Sequence, residues 1–358
     1  MIPSRSLRLA LAALATAAGL SAGPAAGQAA PLAIRRLALV TGANDGGPER
    51  ARLRYAISDA ERFARVLQQM GGVAGPDLIL LLDPDAAGLR AAMADLKRRV
   101  GRSAAEARTE VILYYSGHSD EDGLLLRGDR IPYRELRAWL EGTGAGVRIG
   151  ILDSCASGNF TRGKGGIRTT PFLVDASTQV SGQVILTSSS ADEASQESDR
   201  IGASFFTHYL VTGLRGAADA SRDGKVTLSE VYQFAFHETL ARTERTRSGP
   251  QHPAWDIALV GAGDVVMTDL RGTGATLVLP APVVGRFFVR DAGERLVAEL
   301  RKEAGEPVLA GARSRQLPRD ARDRRAPGRG AALAGERRHR AAAPGVRAGA
   351  ARADGHAR

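Results

Sequence analysis

Two short segments carry side chains suited to nucleophilic chemistry. The apolar run Val111-Ile112-Leu113-Tyr114-Tyr115 ends in Ser116-Gly117-His118, and the run Arg148-Ile149-Gly150-Ile151-Leu152 ends in Asp153-Ser154-Cys155. An imidazole can take the proton of a thiol or stabilise the thiolate by ion pairing, help that an isolated thiol lacks at neutral pH. If both runs are strands of one open parallel sheet, both side chains stand beyond the strands' carboxyl ends, where such sheets bind ligands. Gly117 leaves room for a substrate carbonyl, and its N–H, with that of Cys155, is expected to form an oxyanion hole. Ala156, Ser157 and Gly158 suit a tight turn under a bound peptide. Cys155 is the single cysteine of the chain and cannot form an internal disulfide. It is therefore either a small buried hydrophobe or a thiol kept for its reactivity.

Positioning these residues requires a layered α/β domain. Strands are expected at Arg36–Thr41, Leu78–Leu82, Glu110–Tyr115, Val147–Leu152 and Gln183–Thr187, with a sixth at Asp256–Val260. Nearly continuous apolar runs of this kind suit a parallel sheet covered on both faces. Helical periodicity marks Leu53–Met70, Ala86–Val100, Pro132–Leu140, Ala203–Leu214 and Leu228–Thr243. Strands alternating with helices give an α/β fold with crossover connections.

The two motifs Tyr115-Ser116-Gly117-His118 and Asp153-Ser154-Cys155-Ala156-Ser157-Gly158 together closely resemble those of the caspase-like cysteine peptidases, in their metacaspase and bacterial branch. The resemblance runs from about Arg36 to Met267 and takes in Asp59, the stretch Ser188–Glu197 and Phe205-Phe206-Thr207. It implies a three-layer caspase-type fold with a mainly parallel, about six-stranded sheet flanked by helices. It also implies thiol-dependent hydrolysis of peptide or protein substrates, with Cys155 as nucleophile and His118 as base, and no cofactor required for the chemistry. In the metacaspase branch carboxylates line the pocket for the residue before the scissile bond. The matching positions here are Asp59 and Asp153, with Ser116 alongside, and two carboxylates suit an arginine or lysine side chain. The branch often has a cysteine where this chain has Ala56. Arg162, Lys164 and Arg168, in the segment after Cys155, would be self-cleavage sites for such an enzyme, or residues of an ordinary exposed loop. A non-catalytic caspase-like module that binds peptides or partners, and a thiol transpeptidase, are the competing readings.

Asp219 through Glu230 spells a twelve-residue calcium loop. Oxygen ligands fall on Asp219, Ser221, Asp223 and Thr227, with the Lys225 carbonyl at position 7, Gly224 at position 6 and Glu230 at position 12. The same residues also read as a plain turn, with Thr227 capping the next helix. Gly158–Lys164 nearly spells a phosphate-binding loop, but Gly165 replaces the hydroxyl that would hold magnesium. His208, His237 and His252 share no ligand spacing, and no zinc pattern is present.

The net charge of +10 belongs to the ends of the chain. Residues 311–358 contain thirteen Arg, no Lys and four acids, and Arg5 and Arg8 add two more, which leaves the body near −1. A near-neutral body gives no footprint for nucleic acid, so no specific nucleic-acid partner is expected. A basic n-region (Met1–Arg8), an apolar stretch (Leu9–Ala22) and small residues after Gly23-Pro24 form a secretory signal pattern. No transmembrane domain is then expected after its removal, and the protein is exported, to a periplasm or outside the cell. The expected organisation is a signal peptide (1–29), the peptidase domain (30–270), a short β-rich segment (271–311) and a disordered Arg/Ala/Gly/Pro-rich tail (312–358). Within the β-rich segment, Ala275–Leu279 and Arg286–Arg290, with the turn Asp291-Ala292-Gly293, read as a short hairpin module. The tail is either a functional basic arm or a frame-shifted remnant of a β domain.

Overall fold

The computed structural model describes residues 33–104, 107–155, 180–190, 193–261 and 263–272, and beyond these 275–279, 281–282, 284–290, 296–302, 304–305, 308–312 and 348–350. Its centre is a sheet of six strands: β1 (Ile34–Gly42), β2 (Val73–Leu82), β3 (Arg108–Ser116), β4 (Val147–Asp153), β5 (Ser181–Thr187) and β6 (Ala254–Val260). The spatial order is β6-β5-β4-β3-β1-β2. All neighbours pair in parallel except β6, which runs antiparallel to β5. The register sets Ser116 opposite Asp153, so β3 and β4 end at the same level, and with them the segments leading to His118 and Cys155.

Alternation along the strands divides the interior into two cores. Ala38, Val40, Ile112, Tyr114, Ile149, Ile151 and Leu186 pack under α1 (Ala56–Met70), α4 (Phe205–Thr212) and α5 (Leu228–Thr243). Leu37, Leu39, Val111, Leu113, Tyr115 and Ile185 face α2 (Ala86–Ser103) and α3 (Tyr133–Glu141) on the other side. Strands β1 to β5 thus feed both layers, which is why their sequences read as nearly continuously apolar, while β6 packs against the first core only. Phe63 of α1 stacks on Tyr114 of β3 with ring centroids 4.4 Å apart, both fully buried. The close seat of α1 depends on Gly42. A β-carbon there would lie 2.5 Å from the Ala56 carbonyl oxygen and 2.8 Å from the Ala60 Cβ.

Several expected boundaries shift for identifiable reasons. Helix α1 begins at Ala56 rather than Leu53, because the preceding N–H groups bond elsewhere: Leu53 to the Asn44 carbonyl, Arg54 and Tyr55 to the Glu197 carboxylate. Helix α4 begins at Phe205, capped by the Ser204 hydroxyl, and continues into one π turn at Gly213–Ala217. A three-stranded antiparallel sheet of His118–Ser119, Gly123–Leu126 and Asp129–Pro132 follows β3 and was not foreseen. Its strands are too short to show a period, and they carry the histidine. Of the expected hairpin module, both strands form, and the turn Asp291-Ala292-Gly293 lies outside the described residues, between two strands that pair. Ala275–Leu279 pairs with Val308–Ala312, while Gly285–Arg290 pairs with Leu296–Lys302 and with Ala348–Ala350.

Candidate active site

His118 sits where β3 gives way to the small sheet, and its ring is fixed by main-chain groups. Nε2 lies 2.7 Å from the Ala51 carbonyl oxygen. A carbonyl only accepts, so Nε2 carries the hydrogen, and in the neutral ring Nδ1 is the free base. Gly46 lies against the same ring: a β-carbon there would stand 2.5 Å from His118 Cδ2. The Tyr115 hydroxyl donates to the His118 carbonyl at 2.8 Å and the Ser119 hydroxyl to the Cys155 carbonyl, tying the two segments together.

Cys155 and His118 stand at neighbouring strand ends but do not hydrogen-bond to each other. The Sγ atom lies 4.0 Å from the Ser195 carbonyl oxygen. Burial pushes the thiol above its ordinary value, and the Asp153 charge adds to this, while the Ser195 backbone and Arg50 pull the other way. The resting sulfur is therefore a thiol. The expected oxyanion role of Gly117 needs correction, because its N–H donates to the Asp153 carbonyl at 3.1 Å and is taken up in the sheet. The Cys155 N–H bonds to no other described residue.

Beneath this rim the structure brings Asp59 and Asp153 together, both buried, with Ser204 between them. The Ser204 N–H donates to Asp59 Oδ2 at 2.9 Å and its hydroxyl to Asp153 Oδ2. Asp153 also receives the Ser195 hydroxyl at 2.6 Å on Oδ1, and the Thr207 hydroxyl (2.6 Å) and N–H (3.3 Å) on Oδ2. Asp59 is poorer in partners. Its Oδ1 accepts no hydrogen bond among the described residues, and Arg62 approaches it only to 3.8 Å. Burial pushes the Asp59 carboxyl well above the ordinary carboxylate range, the Asp153 charge adds to the rise, and the Ser204 N–H and Arg62 oppose it. Ser116, also buried, lies beside the pair through Tyr114.

Ser204 and the Ala51 carbonyl were not singled out from the sequence, and Ser195 and Thr207 entered only within stretches of the resemblance, with no role given. Hydroxyl residues are too common to mark a site, and a backbone carbonyl has no signature in residue type. Nor does the sequence reveal the fastening of residues 193–196. Glu193 accepts from His252 Nδ1 at 2.6 Å, Gln196 donates its N–H to the Gln251 side chain at 3.1 Å, and Thr246 donates to Gln196 Oε1 at 2.6 Å.

The Asp219–Glu230 loop is closed by its own hydrogen bonds. Asp219 accepts the Gly224 N–H at 3.1 Å and Asp223 the Lys225 N–H at 2.7 Å. Glu230 accepts the Ser221 N–H at 2.9 Å on Oε1 and the Thr227 N–H at 2.9 Å on Oε2, the latter completing a capping box with Thr227. Lys225–Thr227 pairs with Val266–Asp269. Among the described residues no three acids, histidines or cysteines converge as ligands for a metal ion. These bonds are those of the turn-and-cap reading. Arg162, Lys164 and Arg168 lie outside the described residues, and among the latter no helix is long and apolar enough to cross a membrane.

The family model of the caspase domain matches residues 35–258, more than half of the sequence. The chain belongs to the caspase-domain family of cysteine peptidases. Among solved structures it is similar to caspase-1 from Spodoptera frugiperda at 12% identity and a TM-score of 0.45, covering 68% of this chain and 97% of that one. No curated protein matches the chain.

Proposed function

We propose that the protein is a cysteine endopeptidase that cleaves after arginine or lysine. The observation that carries this reading is the buried Asp59–Asp153 pair, in which Asp59 Oδ1 has no hydrogen-bond donor among the described residues. Two carboxylates in low dielectric are costly unless a cation joins them, and a guanidinium or ammonium from the substrate answers that need. Asp153 precedes Cys155 by two residues, so a side chain held by the pair would bring its own carbonyl to the sulfur.

In the mechanism that follows, His118 Nδ1 takes the thiol proton as Sγ attacks the scissile carbonyl, forming a C–S bond. The developing oxyanion is met by the Cys155 N–H. The proton passes to the leaving amine, and water then releases the acyl group with the same imidazole as base. The Ala51 carbonyl stabilises the imidazolium through Nε2–H. A thiol pushed up by burial favours general-base transfer during attack over a standing ion pair. The signal-like N-terminus supports action outside the cytoplasm.

The test is hydrolysis of fluorogenic peptides with Arg, Lys or Asp before the reporter, by the full-length chain and by Cys155→Ala, each with calcium and with chelator. Turnover after Arg and Lys that vanishes in the variant is expected. Turnover only after Asp would sink the pocket assignment, and a folded protein inactive on all three would sink the peptidase reading. A requirement for calcium would turn the Asp219–Glu230 turn into a regulator.

A further inference from the structure

The ring of His118 is held by a loop, and that loop is fastened at both ends by one side chain. Asp83 is the first residue beyond β2 and bonds its N–H to the Gly42 carbonyl at the end of β1 (2.8 Å). Its Oδ1 accepts the backbone N–H of Asn44 at 2.6 Å and of Asp45 at 3.3 Å, where the loop begins. Its Oδ2 accepts from the Arg52 guanidinium at 2.9 Å, where the loop ends. The Leu53 N–H returns to the Asn44 carbonyl at 2.9 Å and closes the circuit. Arg127 adds a brace, donating its side chain to the Asp83 carbonyl at 2.6 Å and its N–H to the Asp45 carbonyl at 2.9 Å. Between these fastenings stand the two groups that touch the imidazole, Gly46 against the ring and the Ala51 carbonyl on Nε2.

We infer that Asp83 is a positioning residue for His118: its carboxylate sets the loop of residues 44–53 so that the Ala51 carbonyl selects the Nε2–H tautomer and leaves Nδ1 as the base. The bonds from two N–H groups and a guanidinium to one carboxylate are charge-assisted and hold direction as well as distance. Asp83 adopts a left-handed backbone (φ 47°), which Asp and Asn tolerate better than most residues. Asp83→Asn therefore keeps the backbone and an acceptor for Asn44 while weakening the tie to Arg52. Asp83→Ala removes all three bonds. The kinetic part of this inference rests on the peptidase reading; the tautomer part does not.

The experiment uses the full-length chain with ¹⁵N-labelled histidine, the His118 resonances being assigned by their loss in His118→Gln. Wild type is expected to show the Nε2–H tautomer. Asp83→Ala should move the signal toward a mixture of tautomers and lower kcat on a basic peptide about tenfold or more, with KM changed less than about twofold. Asp83→Asn should fall between. A folded Asp83→Ala with wild-type tautomer and wild-type kcat would overturn the inference. If Asp83→Ala does not fold, Asp83→Asn and Arg52→Ala carry the test, and wild-type tautomer signals in both would overturn it. Should wild type cleave no peptide, a tautomer shift in Asp83→Ala still upholds the role of Asp83 while the peptidase reading falls alone.

Discussion

Burial and the nearby Asp153 charge push the Cys155 thiol above its ordinary value, and the Ala51 carbonyl holds His118 through Nε2. Alkylation by iodoacetamide should therefore accelerate continuously past about pH 8.5, the ordinary thiol value. A plateau reached below neutrality would reveal a preformed thiolate–imidazolium pair instead. At Asp59 burial bears on stability. Its pKa is raised by folding, so the native state holds a proton that the unfolded chain releases. Stability contributed at this position is thus present at acid pH and declines as pH rises from the ordinary carboxylate range through the raised value. Asp59→Asn should flatten that decline and raise the melting temperature at neutral pH, on the order of 1 kcal/mol. It should also cut kcat/KM on Arg and Lys peptides by about a hundredfold; thermal scans across pH and peptide kinetics test both halves. At this scale the sequence shows His118 and Cys155 because each ends a recognisable apolar run, and Asp59 and Asp153 through family likeness. The Ala51 carbonyl and the Ser204 bridge could not be read, since their roles follow from where the chain turns.

The elements were legible where periodicity is long. All six sheet strands and all five helices stand near their expected places; α1 and α2 show this best, where 15 and 18 residues of amphipathic period leave little ambiguity. What escaped was short: the three-stranded sheet that carries His118, and the strand partners after residue 275, whose pairing is set by contacts remote in sequence. The contact between β1 and α1 has the least slack. Gly42→Ala should cost about 1–3 kcal/mol in urea unfolding, because its methyl group meets the Ala56 carbonyl and the Ala60 side chain rather than open space. A wild-type midpoint would show that α1 can lift without loss.

Across the described residues, one sheet separates two cores, and five of its six strands, β1 to β5, feed both. Phe63→Ala on one face and Leu96→Ala on the other should therefore lower a single common unfolding midpoint, each by about 2–5 kcal/mol; two separated transitions would mean that the layers fold apart. Strands β4 and β5 are hydrogen-bonded along their length, and Ser188 bonds directly to Ser154, although residues 156–179 intervene in the chain. The register also places the carboxylate of Asp153 and the sulfur of Cys155 two residues apart at the end of one strand, while Asp59 stands on a separate helix. On the proposed reading, substitution at Asp153 would disturb recognition and bond cleavage at once, whereas substitution at Asp59 would alter recognition and leave the strand that leads to Cys155 alone. On that reading, a change of cleavage preference could be made on the helix while the strand that leads to Cys155 stays as it is.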